Sequence, residues 1–133
     1  MRFSTKTTYS MRAMIRLAQN YQKKSLSLSN VAQKEDISLS YLEKIFSRLK
    51  VAGLVDSEMG MKGGYSLSIP PDKISVLDIV NAIENDSGIF HCMAGHEKVF
   101  CSTDCKCGVT KSLFKIQKSI NQAMQKIKLK ELC

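Results

Sequence analysis

Four of the five cysteines lie close together in the C-terminal half of the chain, and their thiols are the side chains best suited to chemistry. Three of them fall in the stretch CSTDCKCG, and the spacing of the four is Cys92-x8-Cys101-x3-Cys105-x-Cys107. Thiolates are soft ligands that suit iron–sulfur clusters, zinc and copper(I). Clustered cysteines in a reducing compartment more often bind metal or sense redox state than form a disulfide framework. The fifth cysteine, Cys133, is interpreted as incidental.

Zinc is one metal that this spacing allows. Structural zinc sites generally use pairs of the form Cys-x2–4-Cys. Cys101 and Cys105 make one such pair, but no second pair lies nearby. Zinc is therefore the less favoured metal. His91 and His96 are outside candidates as ligands, and each is more typical of a surface histidine.

The composition predicts a folded protein whose N-terminal half suits a polyanion. Hydrophobic residues make up 44% of the 133 and charged residues 24%, with a net charge of +8. Residues 1–69 hold eleven Lys and Arg against five Asp and Glu. DNA is one partner for such a surface, and a solvated lysine-rich face is the equal alternative. Apolar runs fall short of the roughly 18 residues of a membrane span, and the N-terminus lacks a signal-peptide core. We expect a cytoplasmic protein with no membrane contact.

Apolar spacing predicts a helix-turn-helix in the N-terminal half. A first helix is expected over residues 5–21 and a short one over residues 28–35. A third helix is expected from Ser40, because Ser40 and Glu43 match a capping box, to a glycine cap at residues 52–53. Two short helices joined by a tight turn, the second well capped, are typical of a helix-turn-helix.

A β-hairpin is predicted directly after this motif. Residues 54–58 and 65–69 are β-like runs, separated by a loop of three glycines and a lysine. The combination is the layout of a winged helix. Ser75 and Asp78 then open a further helix. The expected fold class is mainly α with a small β-hairpin wing, in which residues 1–84 form a winged helix-turn-helix DNA-binding domain.

The rest of the chain divides into the cysteine-rich segment, residues 85–108, and a long helix over residues 109–133. Apolar residues in this helix recur at steps of four and three, which is a heptad stripe, and its lysines fall off the stripe. A lone helix with a narrow apolar seam needs a partner. A homodimer through this helix is favoured over a helix folded back on its own domain. The stripe consists of Val109, Leu113, Ile116, Ile120, Ala123 and Ile127.

The predicted DNA contacts follow from the geometry of such motifs, in which the second helix enters the major groove. Hydroxyls at Ser38 and Tyr41 suit phosphate, and Glu43 can accept a hydrogen bond from a cytosine amino group. For Ser40 and Glu43, a purely capping role is the alternative. The wing glycines let the backbone lie close to DNA. The predicted contacts are Ser38, Ser40, Tyr41, Glu43, Lys44 and Arg48 in the helix, and Lys62, Gly63, Gly64 and Tyr65 in the wing.

Almost the whole chain resembles the Rrf2 family of transcriptional regulators. Three blocks carry the resemblance: RFSTKTTYSMRAMIRLA, SLSNVAQKEDISLSYLEKIFSRLKVAGLVDSEMGMKGGYSLS and ISVLDIVNAIE. The most specific part is ISLSYLEKIFSRLKVAGLV running into GGY. The resemblance implies a winged-helix DNA-binding domain, a cofactor loop where the cysteines lie, and a dimerisation helix after it.

The resemblance also implies a [2Fe–2S] or [4Fe–4S] cluster, one per subunit. Cluster-bearing members have three cysteines in this loop, with five residues between the last two. Cys101 and Cys107 match that spacing, and Cys92 corresponds to the first ligand. Three cysteines leave one coordination position open.

The fourth ligand does not follow from the resemblance. Thr110 stands where some relatives have a histidine, and Thr8 stands where others have an acidic residue from the partner's first helix. Cys105 is an extra thiol that would complete an all-cysteine set. Its alternative use is as the resolving thiol of a redox disulfide.

The wing departs from the family pattern at one position. The family's wing usually begins with an Arg-Gly pair, and here Met59 and Gly60 stand in its place. The arginine expected in the minor groove is missing. Lys62 replaces it only in part, because lysine lacks the planar fork of arginine.

Three functions are compatible with the sequence. The first is a homodimeric repressor whose cluster responds to redox state, nitric oxide or iron. The second is a cluster-free regulator that senses oxidants by thiol–disulfide chemistry. The third is a regulatory subunit that acts by protein contact, which the missing wing arginine favours. An enzyme is not expected, since the sequence contains no nucleophile–base pair, nucleotide-binding loop or metal-hydrolase motif.

Overall fold

The computed structural model describes residues 3–60, 63–84 and 108–133, and the mainly helical fold with a hairpin wing is confirmed there. The hairpin is a two-stranded antiparallel sheet in which Val55 lies opposite Leu67 and Glu58 opposite Gly64. The elements are α1 (Thr5–Gln19), α2 (Leu28–Glu35), α3 (Leu39–Val51), β1 (Val55–Glu58), β2 (Gly64–Leu67), α4 (Val76–Ile83), α5 (Gly108–Lys126) and a 3₁₀ turn (Leu129–Leu132).

The turn between α2 and α3 corrects the predicted capping box. The helix cap is Ser38, whose Oγ accepts a hydrogen bond from the backbone N–H of Tyr41 at 3.3 Å. Ile37 and Leu42, the positions before the cap and four after it, are both buried in the same core cluster. Such a hydrophobic staple fixes the start of a helix. A cap at Ser40 would instead require Leu39, which is 41% exposed, to play the part of Ile37.

Other helix ends follow local capping. The predicted range of α2 is confirmed. The helix predicted to open at Ser75 and Asp78 is α4, and these two residues form a capping box in which each side chain bonds the other's backbone N–H group. After α3, Gly53 has a φ of +73°, a conformation that glycine adopts without strain. The first helix ends at Gln19, earlier than predicted, where the side chain of Asn20 donates to the carbonyl of Arg16.

The core lies between α1, α3 and α4, and the hairpin closes one side of it. The 3₁₀ turn completes the core, because Leu129 is fully buried. Its backbone N–H donates to the carbonyl of Ile74 at 2.8 Å, and the N–H of Val76 donates to the carbonyl of Ile127 at 3.0 Å. The C-terminal end of α5 is thereby fixed to the winged-helix part of the chain. The largest fully buried side chains include Met14, Leu42, Phe46, Leu49, Ile74, Ile79 and Ile83.

A buried carboxylate joins α1 to the end of α2. Glu35 accepts a hydrogen bond from Nε of Arg12 at 2.9 Å and another from Nε of Arg16, and its side chain is only 10% exposed. Burial opposes ionisation of this carboxyl, but the hydrogen bonds and charges of Arg16 and Arg12 outweigh it and lower its pKa. This ionised contact places the helix-turn-helix against the first helix.

Replacing Glu35 should therefore lower the free energy of unfolding at neutral pH. It should also make that free energy depend less on pH in the acidic range. A carboxyl with a lowered folded pKa stabilises the protein above its unfolded pKa and loses that contribution as the pH falls through the folded pKa. We expect Glu35→Gln to cost about 1–2 kcal/mol at pH 7 and less near pH 3. Urea unfolding at both pH values measures this. The control is Asp72→Asn at an exposed position. Equal losses of unfolding free energy at pH 7 and pH 3 would contradict a lowered pKa for Glu35.

Candidate nucleic-acid interface

The surface of α3 is divided between a buried apolar face and an exposed polar one. Leu42, Ile45, Phe46 and Leu49 are buried in the core. That burial leaves five polar side chains of α3 exposed on the rest of the helix, two of them hydroxyls and three charged. An exposed helix face of this kind can reach base edges in a groove. The five are Ser40, Glu43, Lys44, Ser47 and Lys50.

The N-terminal end of α3 is held by its cap and by an aromatic contact. Ser38 is exposed although its Oγ accepts the capping hydrogen bond. The ring of Tyr41 packs edge-to-face on Tyr9 of α1, with centroids 5.7 Å apart. Because Ser38 is the cap, Ser40 and Glu43 have no capping task and point to solvent. The sequence-predicted residues Ser38, Ser40, Tyr41, Glu43 and Lys44 thus share one end of α3.

Arg48 is placed differently from the other predicted contacts. Its Nη1 donates to the carbonyl of Ile83, at the end of α4, at 2.5 Å. The side chain is half-buried and joins two helices. Its predicted contact with DNA stays a prediction, and the structure gives it a second role that the sequence did not indicate.

A cleft of about 540 Å³ runs beside this part of α3. Lys6, in the first turn of α1, also lines this cleft and adds a positive charge near the predicted contacts. Sequence reasoning missed Lys6 because α1 was interpreted from its apolar spacing alone. The available signal was a lysine in the exposed first turn of α1. The lining residues are Lys6, Ser40, Tyr41, Glu43, Lys44, Ile45, Ser47, Arg48 and Ile83.

The predicted wing contacts Gly63, Gly64 and Tyr65 have evident structural tasks. A Cβ on Gly64 would lie 2.5 Å from the carbonyl oxygen of Leu26, and one on Gly63 would lie 2.6 Å from that of Glu58. The N–H of Tyr65 donates to the carbonyl of Leu26 at 2.8 Å. The ring of Tyr65 also packs on Phe46. These residues fix the hairpin to the core, and their contacts with DNA stay predictions.

The described part of the wing carries negative rather than positive charge. Asp56 and Glu58 are exposed on β1, and Glu58 accepts a hydrogen bond from Oγ of Ser25 at 2.9 Å. Met59 at the tip is 99% exposed. Lys62 lies outside the described residues. The tip thus presents an apolar side chain where the family pattern has an arginine.

Restoring the arginine should strengthen binding to DNA. Met59→Arg is expected to raise affinity for duplex DNA about three- to tenfold at low salt and to steepen the salt dependence by about one charge. Fluorescence anisotropy at several salt concentrations measures both. Met59→Leu, which keeps an apolar tip, is the control and should bind as the wild type does. An unchanged salt slope in Met59→Arg would mean that the tip lies away from the phosphates.

The predicted metal ligands Cys92, Cys101, Cys105 and Cys107 lie outside the described residues. Among residues 3–60, 63–84 and 108–133, no group of three or more His, Cys, Asp or Glu side chains is arranged to hold a metal ion. Cys133 is exposed, and its Sγ donates to the carbonyl of Leu129 at 3.3 Å. Partial burial of the sulfur raises the pKa of Cys133, which makes this thiol a poor nucleophile.

In the part of the chain that the structure describes, no helix is both long enough and apolar enough to cross a bilayer.

Comparison with known proteins agrees with this geometry. Residues 3–133 match the Rrf2 family model, which is described as an iron-dependent transcriptional regulator. The HTH-type transcriptional regulator IscR of Aliivibrio salmonicida is 34% identical over 133 residues, which cover 99% of this chain and 77% of the relative.

Solved structures share the fold, and two examples each cover 99% of this chain. One is CymR, the global cysteine regulator of B. subtilis, with a TM-score of 0.81, 30% identity and 95% of that chain covered. The other is IscR of T. potens, with a TM-score of 0.77, 34% identity and 86% of that chain covered. Family members of this kind are DNA-binding transcriptional regulators rather than enzymes. The match over nearly the full length, with the exposed polar face of α3 and the hairpin after it, means that this chain belongs to the Rrf2 family of transcriptional regulators.

Proposed function

We propose that the protein is a cytoplasmic, homodimeric repressor that binds a DNA operator through α3 and the wing, under the control of an iron–sulfur cluster. The observation that carries the DNA-binding part is the exposed polar face of α3. Its side chains include both hydrogen-bond acceptors and cations, and Lys6 lines the same cleft. Such a surface can combine base readout with phosphate binding.

The exposed stripe of α5 supports the homodimer. Val109 is 62% exposed and Ile116 is 45% exposed, and Ala123, seven residues further on, is exposed as well. At 3.6 residues per turn, this stripe lies roughly a quarter turn from Thr110 and Gln117, which are the buried residues of α5. The helix therefore uses one face on its own subunit and leaves an apolar heptad face for a second copy.

The cysteine segment supports the regulatory part. Cys92, Cys101 and Cys107 would hold a [2Fe–2S] or [4Fe–4S] cluster, with Cys105 as the candidate fourth ligand. When bound, the cluster would supply a centre that oxidants, nitric oxide or iron starvation can destroy. A bound cluster would hold this segment, which connects the winged helix to α5, and loss of the cluster would release it. The spacing of the two α3 helices of the dimer would then change. Half-site spacing is a strict geometric requirement.

A thiol switch is the second candidate function. The similar protein CymR of B. subtilis is a cysteine regulator, and Cys105 is a thiol beyond the three that the family's cluster pattern needs. In this version Cys105 would form a disulfide with a neighbouring cysteine when an oxidant is present. Iron and sulfide analysis separates it from the cluster version, because the thiol switch contains neither.

The DNA-binding part is tested by selecting sequences from a pool of random duplexes and then titrating the selected sequence. We expect it to bind at least about a thousandfold tighter than a scrambled duplex. The logarithm of the affinity should fall linearly with the logarithm of the salt concentration. Equal affinity for selected and scrambled duplexes would overturn sequence-specific binding and favour a subunit that acts through protein contacts.

A further inference from the structure

The C-terminal end of α4 is bound by two other helices. Nη1 of Arg48, in α3, donates to the carbonyl of Ile83 at 2.5 Å. The next residue, Glu84, accepts a hydrogen bond through Oε1 from Oγ1 of Thr7 at 2.5 Å and another from Oγ of Ser4, at the start of α1. Ile83 and Thr7 are almost fully buried. The last two described residues before the cysteine segment therefore contact α1 and α3 together.

The carboxylate of Glu84 is well stabilised at this place. It lies at the N-terminal end of α1, where the helix dipole favours negative charge. Burial raises the pKa of Glu84, but the hydrogen bonds from Ser4 and Thr7 and the charge of Lys6 outweigh it, and the net shift is downward. An ionised carboxylate that accepts two hydroxyl hydrogen bonds is a firm anchor, because charge-assisted hydrogen bonds are about twice as strong as neutral ones.

This anchor precedes the sensing residues along the chain. Cys92 follows Glu84 by eight residues. Any displacement of the cysteine segment would be passed first to Glu84 and Ile83, because they directly precede the segment in the chain. The carbonyl of Ile83 is bound directly by a side chain of α3, and packed interiors transmit such displacements with little loss. A path of two residues and one hydrogen bond thus joins the segment to α3 within one subunit.

We infer that Arg48 and Glu84 are positioning residues, which clamp the start of the cysteine segment to α1 and α3 so that a change in the segment alters the placement of α3. The inference rests on the proposed control of DNA binding by the cysteines and adds a route to it. This route lies within one subunit, whereas the route through α5 requires the dimer. Both routes change DNA affinity, but only the intrasubunit one depends on Glu84 and its hydroxyl partners.

Thr7→Val tests the clamp with little change of shape. Valine fills the same buried space but removes the hydroxyl that donates to Glu84. The measurement is the ratio of affinities for the selected duplex before and after treatment of anaerobic protein with hydrogen peroxide and a chelator. We expect a wild-type ratio of about tenfold or more, and a ratio below about threefold in Thr7→Val. Glu84→Gln should lower the ratio to a similar extent.

Ser10→Ala is the matched control. Ser10 is also a fully buried hydroxyl of α1, but it donates to the carbonyl of Lys6 rather than to Glu84. Ser10→Ala should lower the melting temperature about as much as Thr7→Val does. It should nevertheless keep the wild-type ratio of DNA affinities before and after treatment. Equal ratios in Thr7→Val, Glu84→Gln and wild type would overturn the clamp while leaving the proposed function intact. A wild-type ratio of one would mean that the treatment does not change DNA affinity. Both the proposed regulation and the clamp would then be wrong.

Discussion

Ile116→Lys should convert the protein from a dimer to a monomer and weaken operator binding by at least about a hundredfold. A lysine at the centre of the α5 stripe would bring two like charges into an apolar seam. Loss of the dimer removes the second half-site contact, and linked contacts are worth about 10²–10⁴ in apparent affinity. The substitution adds a positive charge, which by itself favours DNA binding. A loss of affinity is therefore attributable to the oligomeric state.

Gln125→Lys is the control for this experiment. Gln125 is exposed on α5 and lies on the opposite side of the helix from the stripe. The same charge added there should leave the protein dimeric, with operator affinity equal to that of the wild type or higher. Light scattering during size-exclusion chromatography gives the mass, and anisotropy gives the affinity. A monomeric wild type, or a dimeric Ile116→Lys, would contradict the proposed interface.

Replacing the proposed ligands Cys101 and Cys107 with serine should abolish cluster binding. A serine hydroxyl is a hard ligand that stays protonated at neutral pH, so it does not replace a thiolate on iron. After anaerobic purification we expect wild type to absorb broadly in the visible range and to contain iron and sulfide in equal amounts. The double variant should retain less than about a tenth of the iron, because two of its three core ligands are lost.

Cys133→Ser and Cys105→Ser complete this series. The thiol of Cys133 donates to the nearby carbonyl of Leu129, so its substitution should leave the iron content unchanged. Cys105→Ser distinguishes a fourth ligand, whose loss lowers the iron content, from a resolving thiol, whose loss does not. A double variant of Cys101 and Cys107 with wild-type iron would contradict the ligand assignment. A colourless wild type that contains zinc would favour a structural metal site.

Local sequence signals predicted the elements well, and tertiary packing decided the rest. The helix start at Ser75 and Asp78 and the glycine after α3 depend only on neighbouring residues, and both were confirmed. The start of α3 was misplaced because two serines, Ser38 and Ser40, offer similar local signals. Burial of Ile37 selects the first of them, and that burial is a property of the assembled core.

The exposed residues of α3 could be predicted from the sequence, but the contacts that position them could not. The exposed face of α3 follows from helical periodicity, and the structure places Ser40, Glu43 and Lys44 on it as expected. The hydrogen bond from Arg48 spans 35 residues of sequence, and the one from Thr7 to Glu84 spans 77. No spacing rule predicts contacts of that range. They depend on how α1, α3 and α4 pack together.

Control of DNA binding by the cluster is tested most directly by one titration that follows the cluster and DNA binding in the same sample. Anaerobic protein is titrated with the selected duplex, exposed in steps to an oxidant, and titrated again, while iron and sulfide are measured at each step. If the cluster controls binding, operator affinity should change in proportion to the iron lost. Operator affinity that stays constant while iron and sulfide disappear, or anaerobic protein without iron, would contradict control by a cluster.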